Sequence, residues 1–191
     1  MVNVVFDCET TGLPKSWGLP LTLWPRMVEF AAVKFEDGQP ISETVRFIVK
    51  PQGYYIPDSA TQLHGISHSK AMIEGIPILE GLQIIQNFLG NADRIIAHNS
   101  DFDKKIVTRE QIAAGFKSPF LDEDKRIFCT KARSTAILKL KKERGGGYKW
   151  PSLFELCQYC GVVNEDAHSA LSDVMATYEC YVAMRARGHW L

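Results

Sequence analysis

Alternating and continuous apolar positions divide the first fifty residues into three predicted strands. Residues 2–6 form a short run rich in β-branched and aromatic side chains, which predicts a buried strand. Two further apolar runs, at 27–35 and 41–49, flank Asp37-Gly38, a dipeptide typical of a tight hairpin turn. We therefore expect a three-stranded start to a sheet, with the second and third strands antiparallel.

The apolar spacing then changes to that of helices alternating with short strands. After a short polar segment at 58–68, the predicted elements are a helix at 77–90, a strand at 94–97, a helix capped by Ser100 and ending near 115, a strand at 126–129, a helix continuing into 138–144, a helix opened by a capping box of Ser152 and Glu155, and a last helix at about 169–187. This order predicts one α/β domain, residues 1–191, built on a mixed sheet.

The loop between the first two strands, residues 13–25, carries two bulky side chains, Trp17 and Trp24. We expect them to cover the core. The alternative is an exposed surface on which nucleic-acid bases stack.

Composition excludes several classes of protein. With 46% hydrophobic and 23% charged residues and a formal net charge of zero, the chain is typical of a globular protein. Any contact with nucleic acid must therefore come from a local patch or from bound metal. No stretch approaches the roughly 20 apolar residues that cross a bilayer, and no signal-peptide pattern opens the chain. Five cysteines, an odd number, indicate reduced thiols in a cytoplasmic protein.

The first strand ends in two carboxylates, Asp7 and Glu9, which share a face because they are two residues apart. Such a pair is unfavourable unless it is solvated or a hard cation such as Mg²⁺ or Mn²⁺ lies between the two groups. Asp103 and Asp173, each near the start of a predicted helix, could equally be first-turn acids favoured by the helix dipole. His168, taken singly, could be a cap or a surface histidine.

Together these residues resemble a known set of motifs. Asp7-x-Glu9, His98-Asn99-x-x-Phe102-Asp103 and His168-x-x-x-x-Asp173 are similar in order and spacing to the three motifs of the DEDDh family, the DnaQ-like 3′–5′ exonucleases. The sister DEDDy group has a tyrosine four residues before the final aspartate, where this chain has Ser169. Residues 63–67 and 149–153 also resemble family segments, the His-Gly-Ile segment and the entry to the helix before the last motif.

The resemblance implies a ribonuclease-H-like fold, a five-stranded mixed sheet flanked by helices. It also implies two divalent metal ions, Mg²⁺ or Mn²⁺, about 3.5–4 Å apart. The implied metal ligands are Asp7, Glu9, Asp103 and Asp173, and these four residues with His168 form the implied catalytic set. His168 would be the general base, since an ordinary histidine pKa of about 6.5 lies near working pH.

Substrate contacts are also expected from the resemblance: Thr10, Thr11, His64, Asn99 and Phe102. The backbone of the two threonines would receive the terminal 3′-hydroxyl, Phe102 would either stack on bases or belong to the core, and His98 would brace the site. A basic run is either a phosphate-binding patch or a solvated helix end; it comprises Lys139, Lys141, Lys142, Arg144 and Lys149. Cys157-x-x-Cys160 is interpreted as core thiols, because no second cysteine pair completes a zinc site.

The function expected is hydrolysis of single-stranded DNA from its 3′ end, releasing nucleoside 5′-monophosphates. One alternative is an RNA-trimming enzyme of the oligoribonuclease or ribonuclease T type; the His-Gly-Ile segment favours DNA. The other is a non-catalytic, nucleic-acid-binding polymerase-accessory domain. Because the sequence ends soon after its last predicted helix, we expect no long polymerase-binding tail, although a polymerase or replication partner stays open, as does the oligomeric state.

Overall fold

A five-stranded mixed sheet organises the computed structural model, which describes residues 1–116 and 126–190. The strands are β1 (Val2–Thr10), β2 (Met27–Glu36), β3 (Ile41–Ile48), β4 (Arg94–Ala97) and β5 (Ile127–Cys129). Their order across the sheet is β3-β2-β1-β4-β5. β1, β2 and β3 pair antiparallel, whereas β4 pairs parallel with both β1 and β5. The predicted α/β class and five-stranded mixed sheet are confirmed.

Seven α-helices and one 3₁₀ turn, Leu21–Leu23, accompany the sheet in the described residues. The helices are α1 (Asp58–His64), α2 (His68–Glu74), α3 (Ile78–Gly90), α4 (Ser100–Ala113), α5 (Thr130–Leu138), α6 (Leu153–Cys160) and α7 (Ala170–Ala186). Among the described residues, none of these helices combines the length and the apolar character required to cross a membrane.

The alternation of side chains along β1 divides the core between the two faces of the sheet. Val4 and Phe6 point toward α3 and α4, while Val5 lies in a separate cluster with α7. Asp7 and Glu9 have the same parity as Val5 and therefore face α7. Because α7 packs directly on β1 and β2, the sheet places both acids under this helix.

The sequence analysis described residues 58–68 only as a short polar segment. The structure corrects this interpretation, because the segment contains α1 and the start of α2. Each helix has only seven residues, too few for a clear helical period in the sequence. Ser67 caps α2 by accepting a hydrogen bond from the Lys70 amide at 3.1 Å. The two helices are held mainly by packing against Val28 of β2. The buried side chains that form this cluster with Val28 are Ile56, Ala60, Ile66 and Ala71.

Two helix ends also differ from the prediction. Asn99, with φ of 80°, is the residue before α4, and Ser100 is a buried first residue of the helix rather than its cap. α5 ends at Leu138 because Lys139 adopts a left-handed conformation with φ of 50°. Residues 139–149 instead fold back on themselves, with the Lys149 amide donating to the Leu140 carbonyl at 2.8 Å. The capping box of α6 is confirmed.

The tryptophans of the 13–25 loop pack inward. Trp17 contacts the apolar cluster beneath α3 and α4, and its ring meets Trp24 edge-on with centroids 4.6 Å apart. A second edge contact joins Trp17 to Phe102 of α4 at 5.9 Å. These contacts agree with the expectation that the loop covers the core.

Candidate active site

Three carboxylates from two elements meet at the end of β1. Asp7 and Glu9 from the strand and Asp173 from the first turn of α7 each offer an oxygen within 4.8 Å of the others. Such oxygen ligands are the kind that Mg²⁺ and Mn²⁺ prefer. The sequence prediction that these three acids converge is therefore supported by the geometry.

Burial and mutual repulsion make this cluster hard to ionise in the absence of a cation. Burial raises the pKa of Asp7 well above its usual range, and the charges of Asp103 and Asp173 raise it further. Burial, followed by the charge of Asp7, raises the pKa of Glu9 to about 9. A bound cation would reverse this balance by stabilising the ionised forms.

Asp103 lies beside the three carboxylates but outside their closest group. It is 2% exposed, and its Oδ1 accepts a hydrogen bond from the Cys8 amide at 3.2 Å, which fixes α4 against β1. Burial and the charge of Glu9 raise the pKa of Asp103, while the Cys8 amide opposes the shift. One oxygen of the Asp103 carboxylate is therefore already paired with the backbone of β1.

His168 is exposed and lies just before Ser169, the N-cap residue of α7, with a left-handed backbone of φ 70°. Together with Asp173 it lines an open groove of about 540 Å³ that α6 and residues 162–164 complete, here called the His168 groove. The positive charge of protonated His168 lowers the pKa of Asp173, which burial raises overall. The imidazole therefore borders the carboxylate cluster with its ring open to solvent.

Asn164 is a site residue that the sequence analysis missed. Its Nδ2 donates to Asp173 Oδ1 at 2.6 Å, and its Oδ1 accepts from the Ser172 hydroxyl at 2.6 Å. This hydrogen bond opposes the raised pKa of Asp173. Nothing in the local sequence distinguishes this asparagine from an ordinary loop residue.

Glu29 is a second missed residue, fully buried on β2 directly opposite Glu9 in the strand register. Its Oε1 accepts from Arg46 Nε of β3 at 2.7 Å, and its Oε2 accepts from the Ala170 amide at 3.0 Å. Its negative charge also contributes to the raised pKa of both Asp7 and Glu9. The signal in the sequence was a single glutamate within the otherwise apolar strand sequence Met-Val-Glu-Phe-Ala-Ala-Val, which indicates a buried charged residue.

The turn after β1 is held by paired hydrogen bonds. The Thr11 amide donates to the Arg26 carbonyl at 2.9 Å, and the Arg26 amide donates to Thr11 Oγ1 at 2.9 Å. Thr10 Oγ1 donates to the Gly12 carbonyl at 2.8 Å. The Thr11 amide, expected to meet a 3′-hydroxyl, is thus already paired within the protein.

Arg26 is itself anchored to α4. It forms two hydrogen bonds with Glu110, from Nε to Oε1 at 2.8 Å and from Nη2 to Oε2 at 3.0 Å. Arg109 adds a third contact to the buried Glu110 carboxylate at 3.0 Å. This charged network holds the turn carrying Thr11 in place.

The remaining predicted contacts lie around this centre. His64 is buried at the end of α1, and its Nδ1 accepts from the Ile66 amide at 3.1 Å. Burial lowers the pKa of His64, and the nearby backbone of Thr10, toward which the protonated ring can donate, opposes this effect. Asn99 Oδ1 accepts from Lys131 Nζ at 3.4 Å. Phe102 makes its ring contact with Trp17, as a partly buried neighbour of the core.

His98 braces the site, as expected. Its Nδ1 lies 3.0 Å from the Thr130 hydroxyl and its Nε2 lies 3.2 Å from the Pro151 carbonyl. Burial lowers the pKa of His98 to about 4. A neutral ring thus connects the end of β4 to the chain entering α6.

The two other sequence features lie outside this centre. Cys157 and Cys160 are buried, and Cys157 Sγ is 3.7 Å from Cys180 Sγ, which confirms core thiols. The residues of the basic run, Lys139, Lys141, Lys142, Arg144 and Lys149, are exposed. Lys149 forms an ion pair with Glu155.

Comparisons with known proteins agree with this site. The model of the RNase T family, whose description is "Exonuclease", matches residues 4–181. A "DNA polymerase III subunit epsilon" of Aquifex aeolicus is 30% identical over 183 residues, covering 94% of this chain and 78% of that protein. A "DNA polymerase III subunit epsilon-like protein" of Rhodobacter capsulatus is 29% identical over 193 residues; the match covers 97% of this chain but only 24% of that protein.

Solved structures show the same fold. E. coli exonuclease I in complex with a dA16 oligonucleotide superposes with a TM-score of 0.77 at 20% identity, covering 97% of this chain and 41% of that chain. The family match spans most of the chain, and its sheet and helices are shared with exonuclease I. The chain therefore belongs to this exonuclease family and has the ribonuclease-H-like fold of the DnaQ-like 3′–5′ exonucleases.

Proposed function

We propose that the protein is a metal-dependent 3′–5′ exonuclease that hydrolyses the terminal phosphodiester bond of single-stranded DNA and releases nucleoside 5′-monophosphates. The observation that carries this proposal is the convergence of Asp7, Glu9 and Asp173 within 4.8 Å beside the exposed His168. A buried acidic cluster with raised pKa values suits a cation-dependent site better than a structural role.

The carboxylates fit two divalent ions, Mg²⁺ or Mn²⁺. Asp7, Glu9 and Asp173 would hold them directly, and Asp103, with one oxygen already bonded to the Cys8 amide, would act partly through water. When bound, such ions stabilise the charge that develops on the attacked phosphate and lower the pKa of the attacking water.

His168 would act as the general base. Its exposed ring would approach a water molecule beside the carboxylates. As this water attacks the phosphorus, a ring nitrogen of His168 would accept the proton that the water loses. Asn164 holds the neighbouring Asp173 in one orientation through the 2.6 Å hydrogen bond. Glu29 holds the first amide of α7, which keeps Asp173 facing β1.

DNA is the proposed substrate because of what the similar proteins are. The curated relatives are named as DNA polymerase III subunits, and the exonuclease I structures contain dA16 and dT13 oligonucleotides. The same relatives support a replicative polymerase as a partner.

The test uses single-stranded DNA and RNA of identical sequence, labelled at either the 5′ or the 3′ end, with Mg²⁺, Mn²⁺ or EDTA. We expect a ladder that shortens from the 3′ end of DNA, faster than on RNA, and complete inhibition by EDTA. Faster cleavage of RNA would favour the RNA-trimming alternative. Binding without cleavage under all conditions would favour the accessory-domain alternative.

His168→Ala tests the general base. We expect kcat to fall by about 10²- to 10⁴-fold, while the rise in melting temperature on adding Mn²⁺ is retained. Near-wild-type turnover at neutral pH would contradict the assignment. Tyr159→Ala, on α6 but outside the lining of the His168 groove, is the control.

A further inference from the structure

A second groove lies next to the His168 groove. It has a volume of about 400 Å³ and is lined by Lys131, by α6 and by residues 149–152, here called the Trp150 groove. Ser152, Phe154 and Gln158 line both grooves, so the two grooves adjoin. A nucleic-acid strand at the carboxylate cluster would therefore pass close to the Trp150 groove.

Two large aromatic side chains are presented to solvent here. Trp150, just before α6, is 65% exposed, and Phe154, within α6, is 68% exposed. The buried residues of this helix are Leu156, Cys157 and Cys160. The hydrophobic core therefore does not account for these two side chains.

Lys131 joins the aromatic surface to the candidate active site. Its Nζ lies 5.5 Å from the centre of the Trp150 ring and 3.4 Å from Asn99 Oδ1. Lys149 adds a second cation, partly balanced by Glu155. The groove thus combines aromatic faces with positive charge, the pattern of surfaces that bind single-stranded nucleic acid.

The backbone under these side chains is fixed. Ser152 and Glu155 form a complete capping box at the start of α6. The Pro151 carbonyl lies 3.2 Å from His98 Nε2, which ties this entry to the end of β4. The backbone that carries the two aromatic side chains is consequently held in place relative to the end of β4.

We propose that Trp150 and Phe154 form a base-stacking platform for the single strand on one side of the scissile phosphate, with Lys131 contacting its phosphate backbone. This inference rests on the proposed exonuclease function and adds the path of the substrate. Single-stranded polynucleotide is favoured over a protein partner because the Trp150 groove adjoins the groove that His168 and Asp173 line, and because the charges lining it, those of Lys131, Lys149 and Glu155, sum to a positive value.

The test compares Trp150→Ala, Phe154→Ala and the double variant with Tyr159→Ala. Tyr159 is an aromatic residue of the same helix that is 41% exposed and lines neither groove. Binding of 5′-fluorescein-dT12 is measured by fluorescence anisotropy with Ca²⁺ in place of Mg²⁺. Each platform substitution is expected to weaken binding about 5- to 100-fold, whereas Tyr159→Ala binds like the wild type.

Kinetics supply a second readout. With Mn²⁺, kcat/KM is measured for dT12 and for the p-nitrophenyl ester of thymidine 5′-monophosphate, which is too short to span both grooves. We expect the double variant to lose at least about tenfold more on dT12 than on the ester. Equal losses on both substrates would overturn the proposal.

Failure of the inference and failure of the proposed function give different results. If the wild type cleaves neither substrate with Mn²⁺, the exonuclease function fails, and the anisotropy comparison still decides whether the platform binds DNA. If the double variant binds dT12 as tightly as the wild type, the platform is overturned and the surface is left for a protein partner.

Discussion

Asn164 decides the orientation of Asp173 at the level of single residues. The carboxylate receives a 2.6 Å hydrogen bond from Nδ2, and the amide is itself oriented by Ser172. Groups that orient a metal ligand commonly change metal affinity by about 10- to 100-fold when removed. We therefore propose Asn164 as a positioning residue for Asp173.

Asn164→Ala is expected to weaken Mn²⁺ activation by about 10- to 100-fold, since Asp173 loses a donor that favours its ionised form. The measurement is the Mn²⁺ concentration at half-maximal activity. Ser172→Ala, which removes only the outer link, should have a smaller effect. An unchanged Mn²⁺ requirement in Asn164→Ala would show that this hydrogen bond does not position the ligand.

Glu9 predicts a specific pH dependence for the metal-free protein. Its folded-state pKa is raised to about 9 from an ordinary 4.5, so the folded protein holds a proton that the unfolded chain releases. Unfolding then releases protons between these values, and stability falls as pH rises from about 4.5 through about 9. Below the lower value the contribution of Glu9 to stability is fully present.

Glu9→Gln should consequently raise the melting temperature of EDTA-treated protein at pH 8, by about 2–4 °C for each kcal/mol gained, because glutamine releases no proton when the chain unfolds. Near pH 4.5 the effect should be small, because the unfolded chain then keeps much of the Glu9 proton as well. Differential scanning calorimetry at both pH values provides the measurement. Glu36→Gln, which changes an exposed residue at the end of β2, is the control. A lower melting temperature for Glu9→Gln than for the wild type at pH 8 would refute the interpretation.

Between elements, Glu29 joins three parts of the fold that are distant in sequence. It connects its own strand β2 to Arg46 of β3 and to the Ala170 amide at the start of α7. Hydrogen bonds to a charged group stabilise a fold by about 1.5–3 kcal/mol each. The hydrogen bond between Glu29 and the Ala170 amide thus helps to hold α7 over β1, in addition to the packing of the apolar face of this helix.

Glu29→Gln preserves the shape of the side chain and removes its charge. We expect a loss of about 1–3 kcal/mol in the free energy of unfolding, with a fall in kcat of about 10- to 100-fold because α7 carries Asp173. Urea unfolding and steady-state kinetics supply the two values. Glu43→Gln breaks an exposed ion pair with Lys34 and should cost less than about 1 kcal/mol; equal effects of the two substitutions would argue against a special role for Glu29.

At the scale of the whole molecule, the structure combines an ordinary apolar core with a cluster of mutually repelling carboxylates at the end of the central strand, β1. Three apolar clusters fill the spaces between β1, α3, α4, α6 and α7, whereas the end of β1 collects repelling carboxylates. Ligands that bind only the folded state stabilise it in proportion to the logarithm of their concentration. A divalent cation should therefore act on the stability of the entire fold.

Adding Mn²⁺ at about 100 times its dissociation constant should stabilise the protein by about 2.7 kcal/mol. At one fixed Mn²⁺ concentration, the shift in melting temperature should be larger at pH 8 than at pH 6, because protons compete with the metal for Glu9, whose pKa is about 9, and so weaken binding at the lower pH. Calorimetry with Mn²⁺ or EDTA measures this shift. An equal shift in Asp7→Asn would mean that the metal binds elsewhere.

The sequence by itself determined the strands, the longer helices and the acids of the site. Their signals are local: an apolar run, a helical period, a capping box at Ser152, and motif spacings that place Asp7 and Glu9 on one face. The prediction of one five-stranded mixed sheet followed from resemblance to a family with the same motifs, whereas the order of the strands came from the structure. These features depend on neighbours within a few residues or on a long, specific pattern.

Only the tertiary structure showed which residues far apart along the chain form hydrogen bonds with each other. Glu29 meets the Ala170 amide across 141 positions, and no local pattern encodes such a contact. The exposure of Trp150 and Phe154 likewise depends on what packs over α6, since periodicity indicates which residues share a face but not whether another element covers it. The sequence therefore identified the chemistry, and the packing of α6 and α7 against the sheet determined which groups support it.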